Sequence, residues 1–141
     1  MIAQTAALVL LVTNAQGDLP PDGPLLRAID QSAPRAFDPG AETEMIAARW
    51  HLTRHDPVAA INRLKIVLWQ HPAATQVEEA LGRLVEAYMA LGIVNEAQSA
   101  AATLGRVFPG GSWYANARRL LQSSGIEPRE DPRSWITRSL D

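Results

Sequence analysis

From Glu42 onward, apolar residues recur at helical spacing. Ile61, Leu64, Val67 and Leu68 form one such stripe, and Leu81, Leu84, Val85 and Tyr88 another. The pattern predicts helices over roughly 42–54, 57–71, 75–91 and 94–107, grouped as two pairs. A fifth helix is predicted to open at Ser112, a residue suited to an N-cap. Its stripe is Trp113, Ala117, Leu120 and Leu121, and Gly125 ends it. The tail then carries Pro128 and Pro132, followed by Ser134-Trp135-Ile136 and Leu140, enough for one short amphipathic turn. Trp135 there either docks back on the body or inserts into a partner.

The two pairs are copies of one unit. Ala60 and Ala97 stand 37 residues apart, and so do Pro72 and Pro109. A fixed period in this range signals a solenoid of helical hairpins, and the tetratricopeptide pattern itself repeats at about 34. The fold class expected is therefore all-α: tandem helix-turn-helix, tetratricopeptide-like repeats closed by a C-terminal capping helix. The second copy holds the pattern well, with Gly92 ending its first helix where a left-handed residue is needed. In the first copy His51 stands where tyrosine is usual, and His55 occupies the glycine position of the turn.

Small residues let paired helices approach closely, and stacking such hairpins leaves one concave and one convex face. Spacing places Met45, Arg49, Leu52, Glu79, Glu86 and Met89 on the concave side. That mixture of methionine and charge suits an adaptable peptide groove; it equally describes a solvated face.

The first forty residues read differently. Met1 to Val12 holds the apolar run Ala6–Val12, too short to span a bilayer. It has the length of a signal-peptide core, and Thr13-Asn14-Ala15 offers small residues for cleavage, but the first cation in the chain is Arg27. Gly17 to Gly40 is dense in proline and glycine and reads as a linker. The organisation expected is 1–40 as an N-terminal apolar segment and linker, 41–125 as helical repeats with their cap, and 126–141 as a tail.

Composition narrows the function classes. The 141 residues carry a formal net charge of −2, which argues against nucleic acid as a partner. There is no cysteine, so disulfides, thiolate metal sites, cysteine nucleophiles and a direct lipid anchor on this chain are not expected. His51 and His55 are four apart on one helix, a spacing that can hold zinc, but residue 52 is Leu rather than Glu and further ligands cannot be placed. No glycine-rich phosphate loop and no exposed-nucleophile context occurs. The reading is a protein-binding module with no enzymatic activity, no metal and no cofactor.

Specific residues then point to a family. Glu44-Met45-Ile46-Ala47-Ala48-Arg49-Trp50, Ala59-Ala60-Ile61-Asn62-Arg63-Leu64-Lys65, Val77-Glu78-Glu79-Ala80-Leu81, Leu84-Val85-Glu86-Ala87-Tyr88 and Ala90-Leu91-Gly92 resemble the C-terminal half of BamD proteins. These are the tetratricopeptide lipoproteins of the outer-membrane β-barrel assembly machine. Phe108-Pro109, Ser112-Trp113-Tyr114 and Ser134-Trp135-Ile136 are similar as well. The resemblance covers about residues 42–141. It implies a periplasmic scaffold, peripheral to the outer membrane, docking on the POTRA domains of the barrel subunit. Within it, Arg63 matches the arginine of an Asn-Arg-aliphatic docking motif and would pair with an acidic partner residue. The N-terminal repeats of the family and its lipid-bearing cysteine have no counterpart here. The alternative is a general tetratricopeptide adaptor clamping a peptide in its concave groove, cytoplasmic if residues 1–15 are not a signal peptide.

Overall fold

A computed structural model describes residues 34–140. The apolar run Ala6–Val12 and the first part of the Pro/Gly-rich span lie outside them. Among the described residues the order is α1 (Pro39–Thr53), α2 (Pro57–Gln70), α3 (Val77–Leu91), α4 (Val94–Val107) and α5 (Ser112–Gln122), then a 3-10 turn, Thr137–Leu140. α1 pairs with α2 and α3 with α4, α2 packs on α3, and α5 closes the end against α3 and α4. This is the all-α, tetratricopeptide-like arrangement that the repeat predicts.

Each helix begins where local chemistry lets it. α1 starts three residues earlier than the apolar pattern suggests. Asp38 caps it, accepting from the amides of Gly40 (2.8 Å) and Ala41 (3.2 Å), and Pro39 sits in the first turn. A proline there has no amide to leave unsatisfied. Asp56 and Pro57 open α2 in the same way. At α5 the cap position falls on Gly111, not Ser112; the Ser112 side chain makes no capping bond. The N-cap reading of Ser112 is thus one residue late.

The repeat is exact in the second helices. α2 and α4 are each 14 residues long, and every boundary is displaced by 37. The turns match too: Gly92 has φ +72° and His55, 37 residues earlier, has φ +58°. His55 thus holds a left-handed conformation that L side chains rarely adopt. The other two histidines have partners of their own: the His51 and Trp50 rings meet edge-to-face with centroids 5.1 Å apart, and His71 pairs with Asp38 (Nδ1 to Oδ2, 2.8 Å). Among the described residues no cluster of three His, Asp or Glu side chains could hold an ion.

The core runs through both hairpins. Ala48, Ala60, Ala97 and Ala100 are fully buried at the helix crossings, and Leu64, Leu68, Leu81, Leu84 and Leu104 fill the space around them. Close approach also uses glycine. A Cβ at Gly82 would lie 2.4 Å from Trp113 Cε3, so α5 seats its indole on the bare backbone of α3.

The ends of the described chain are tied down. Before α1, Ala36 forms a parallel bridge with Ala74, and Arg35 Nη1 donates to the Pro72 carbonyl (2.8 Å). After α5, residues 127–136 run along α4. Gln98 Nε2 donates to Glu127 O (2.9 Å), the Asp131 amide to Ser99 Oγ (3.1 Å) and Ser134 Oγ to Glu96 (2.6 Å). Ile136 then enters the core.

Candidate interaction surface

α1 and α3 carry one connected ion network. Arg49 on α1 makes a bidentate pair with Glu79 on α3 (Nε–Oε1 2.8 Å, Nη2–Oε2 2.7 Å), and its Nη1 reaches Glu42 (2.7 Å). Glu79 also accepts from Arg83 Nε (3.3 Å), and Arg83 Nη1 reaches Glu86 (3.2 Å). The Arg83 guanidinium lies over the Trp113 ring, 5.0 Å from its centroid, which carries the ladder onto α5. Fork-to-fork geometry of this kind is stronger than an ordinary surface pair.

Charge state follows from the geometry. The hydrogen bonds from Arg49 hold the Glu79 carboxyl below the ordinary carboxylate range, overriding the opposite effect of burial. The same bonds, with those to Glu42, raise the Arg49 guanidinium further above its already high value. At the start of α1 the hydrogen bond to His71 lowers Asp38. Both carboxyls therefore bind protons more weakly in the folded chain than in the unfolded one. Their contribution to stability is present above about pH 4 and is lost as pH falls through the depressed folded values. Thermal melts are expected to hold steady from about pH 7 to 5 and to fall below about 4. Glu79→Gln should make the acid limb shallower. An acid limb of unchanged slope in that variant would exclude Glu79 as a source.

Of the six residues expected on the concave side, Arg49, Glu79 and Glu86 come together in this network. Met45 does not belong there. It is fully buried in a stripe with Ala41 and Ala48 and has no surface to offer a partner. Residues 45 and 49 differ by only about 40° around the helix, and the edge of the core falls between them. Leu52 and Met89 are half-buried, packed against the core margin. Trp135 docks on the body. Its Nε1–H donates to the Tyr88 hydroxyl (2.7 Å) and its ring meets Trp69 edge-on at 5.4 Å. Arg63 stands apart on α2, its side chain 46% exposed, with Nη1 3.2 Å from Glu44.

Sequence reasoning passed over Arg83 and Glu42. Arg83 lies four residues after Glu79 and three before Glu86, a spacing at which helical side chains meet, so that half of the network had a signal. Glu42 to Arg49 spans seven residues and Arg49 to Glu79 joins two helices; neither had one. Next to the ladder is a hollow of about 240 Å³ lined by Gly82, Glu86, Trp113, Asn116, Ala117 and Leu120.

Comparison with known proteins agrees with this architecture. Residues 38–104 match the YfiO family, described as outer membrane lipoproteins. The chain is 44% identical over 92 residues to the outer membrane protein assembly factor BamD of Caulobacter vibrioides, covering 65% of this chain and 30% of that protein. It is 40% identical over 83 residues to BamD of Rickettsia prowazekii, covering 59% and 33%. The chain thus spans about a third of the length of the curated relatives it matches. No solved structure matches it. Among the described residues no helix is long and apolar enough to cross a membrane. Across its two hairpins, from Asp38 to Leu104, the chain is BamD-like.

Proposed function

We propose that this protein is a non-enzymatic scaffold in outer-membrane β-barrel assembly, acting at the periplasmic side of the outer membrane. The observation that carries the reading is the extent of the match: residues 38–104 are the two hairpins themselves, and the relatives they resemble are named for outer membrane protein assembly. A pair of packed hairpins offers surface for proteins.

The proposed contact is Arg63, docking on an acidic side chain of a POTRA domain of the barrel subunit. Its support is exposure and geometry. The guanidinium is half in solvent, and among the described residues its ion pair is with Glu44 through Nη1, which leaves other donors of the fork available. Glu44 holds the long side chain in place, so less rotamer freedom is lost on binding. The test uses the full chain and purified POTRA domains. Arg63→Glu is expected to weaken binding about 30-fold, the equivalent of ~2 kcal/mol for reversing one member of an interfacial pair. Since this variant sets two carboxylates against each other, the double variant Arg63→Glu with Glu44→Lys restores the internal pair and should still bind weakly. Unchanged POTRA binding in both would remove Arg63 from the interface.

The hollow beside Trp113 favours a second reading, in which one apolar side chain of an extended peptide enters the concave side. The ion ladder around it is satisfied internally, so such a peptide would be held by shape more than by charge. Peptide capture untouched by Arg63→Glu, with no POTRA binding in the parent chain, would move the conclusion there.

A further inference from the structure

Helices α1 to α4 are joined by short turns and pack as antiparallel neighbours, so both hairpin turns lie at one end of the body. That end is apolar. Val58, in the first turn of α2, is 56% exposed. Leu91 and Ile93, on either side of Gly92, are 38% and 43% exposed. Beside them Arg54 ends α1, its guanidinium over the Trp50 ring at 4.8 Å from the centroid. The helix-start carboxylates of α1 and α3 gather at the opposite end: Asp38 and Glu42 for one, Glu78 and Glu79 for the other. At the turn end Asp56 is engaged in capping α2, and Glu96 accepts from Ser134 Oγ.

One position there breaks a local rule. The two hairpins repeat at 37 residues, which sets Ile93 in the place of Asp56. Asp56 caps α2 by accepting from the Ala59 amide (3.1 Å). Ile93 stands at the same cap position of α4 and makes no side-chain bond. An aliphatic residue is among the least favoured at an N-cap. Half-exposed, it recovers little of that loss by burial. A local conflict of this kind marks a position held for something other than the fold.

We propose that the turn end of the two hairpins rests on an anionic lipid surface. Val58, Leu91 and Ile93 enter the boundary between headgroups and acyl chains, and Arg54 binds headgroup phosphate. The apolar groups come from two separate turns with a cation beside them. A fluid surface adjusts to such scattered tips and offers phosphates at the depth the guanidinium reaches. A guanidinium fork matches phosphate geometry, and an indole is suited to the same wet, apolar boundary. With the helix-start carboxylates of α1 and α3 at the far end, this end meets negative headgroups with less repulsion. The inference rests on the reading above only for placing the chain beside a membrane.

The test uses the full chain and vesicles of phosphatidylglycerol and phosphatidylethanolamine. The chain has no cysteine, so a single introduced one carries a polarity-sensitive dye. Asn95→Cys places it at the turn end and Ala73→Cys between α2 and α3 at the opposite end; both positions are exposed. Vesicles should shift the emission at residue 95 to the blue and leave residue 73 unchanged. Val58→Glu with Ile93→Asp should weaken partitioning at least about tenfold. This variant is expected to fold, because an aspartate at 93 restores a cap and a glutamate in the first turn of α2 suits the helix dipole; a thermal melt checks it. Arg54→Gln should flatten the dependence of binding on salt. Equal shifts at both dye positions, or binding unchanged in the folded double variant, would place the contact elsewhere and overturn the proposal. So would a parent chain that ignores vesicles while the double variant loses POTRA binding, since a protein would then cover this end. A chain that binds POTRA domains normally and no vesicles sinks this inference alone and leaves the scaffold reading standing.

Discussion

Leu84→Ala is expected to cost about 3–5 kcal/mol of folding stability, the upper part of the range for emptying a buried leucine site. Leu84 is fully buried near the middle of α3, the one helix contacted by α2, α4 and α5 alike. The loss has two sources: the transfer free energy of the deleted carbons, and contacts forfeited around the space they leave. Relaxation into that space is limited, because backbones are already close where Ala80, Ala87, Ala97 and Ala100 line the crossings. A domain of this size has about 5–15 kcal/mol in total, so the variant should be marginal at room temperature. Urea unfolding followed by circular dichroism gives the number directly. A loss below about 1 kcal/mol would mean that α3 is not the centre of the core.

The second large effect is expected at Trp135. Its indole meets Trp69 edge-on, lies 5.1 Å from the Lys65 ammonium, and donates to the Tyr88 hydroxyl. Tyr88 is buried, and burial pushes its hydroxyl up to about 12. Trp135→Ala removes aromatic area and leaves that hydroxyl without its indole donor, costs of about 1–3 kcal/mol for the polar term alone. The tail is joined to α4 by hydrogen bonds at Glu127, Arg129, Asp131 and Ser134 and by the Arg106–Glu130 pair, and Trp135 and Ile136 supply its apolar anchor. The variant should release residues 127–140 while the hairpins stay folded. Trypsin would then cut at Arg129 and Arg133 many times faster. Unchanged cleavage would show that Ile136 holds the tail by itself.

Legibility followed the range of each interaction. Helical periodicity and the 37-residue spacing arise within single helices and single turns, so α2, α3, α4 and the left-handed positions His55 and Gly92 could be read from the chain. The start of α1 was misjudged because Pro39 and Gly40 look like breakers in isolation. They become a helix start only once Asp38 is recognised as a cap. The concave set was legible in part. Helical angle put Arg49, Glu79 and Glu86 in one group, and the structure joins them through one ion network; Met45 is buried instead, because angle alone does not say where the neighbouring helix ends.

Sequence by itself determined that the described residues form a helical repeat of two hairpins and a closing helix. It also carried the BamD resemblance, because both rest on local propensity and on residue identity at a fixed spacing. Tertiary structure alone decided which charges meet and which apolar residues are spent internally. Arg49 and Glu79 are 30 residues apart, and Trp135 and Tyr88 are 47 apart. Such pairs depend on how hairpins stack and where the tail returns, and both are set by packing summed over the whole body. That is also why Trp135, open to either role in the sequence, belongs to the fold, while Arg63 remains at the surface.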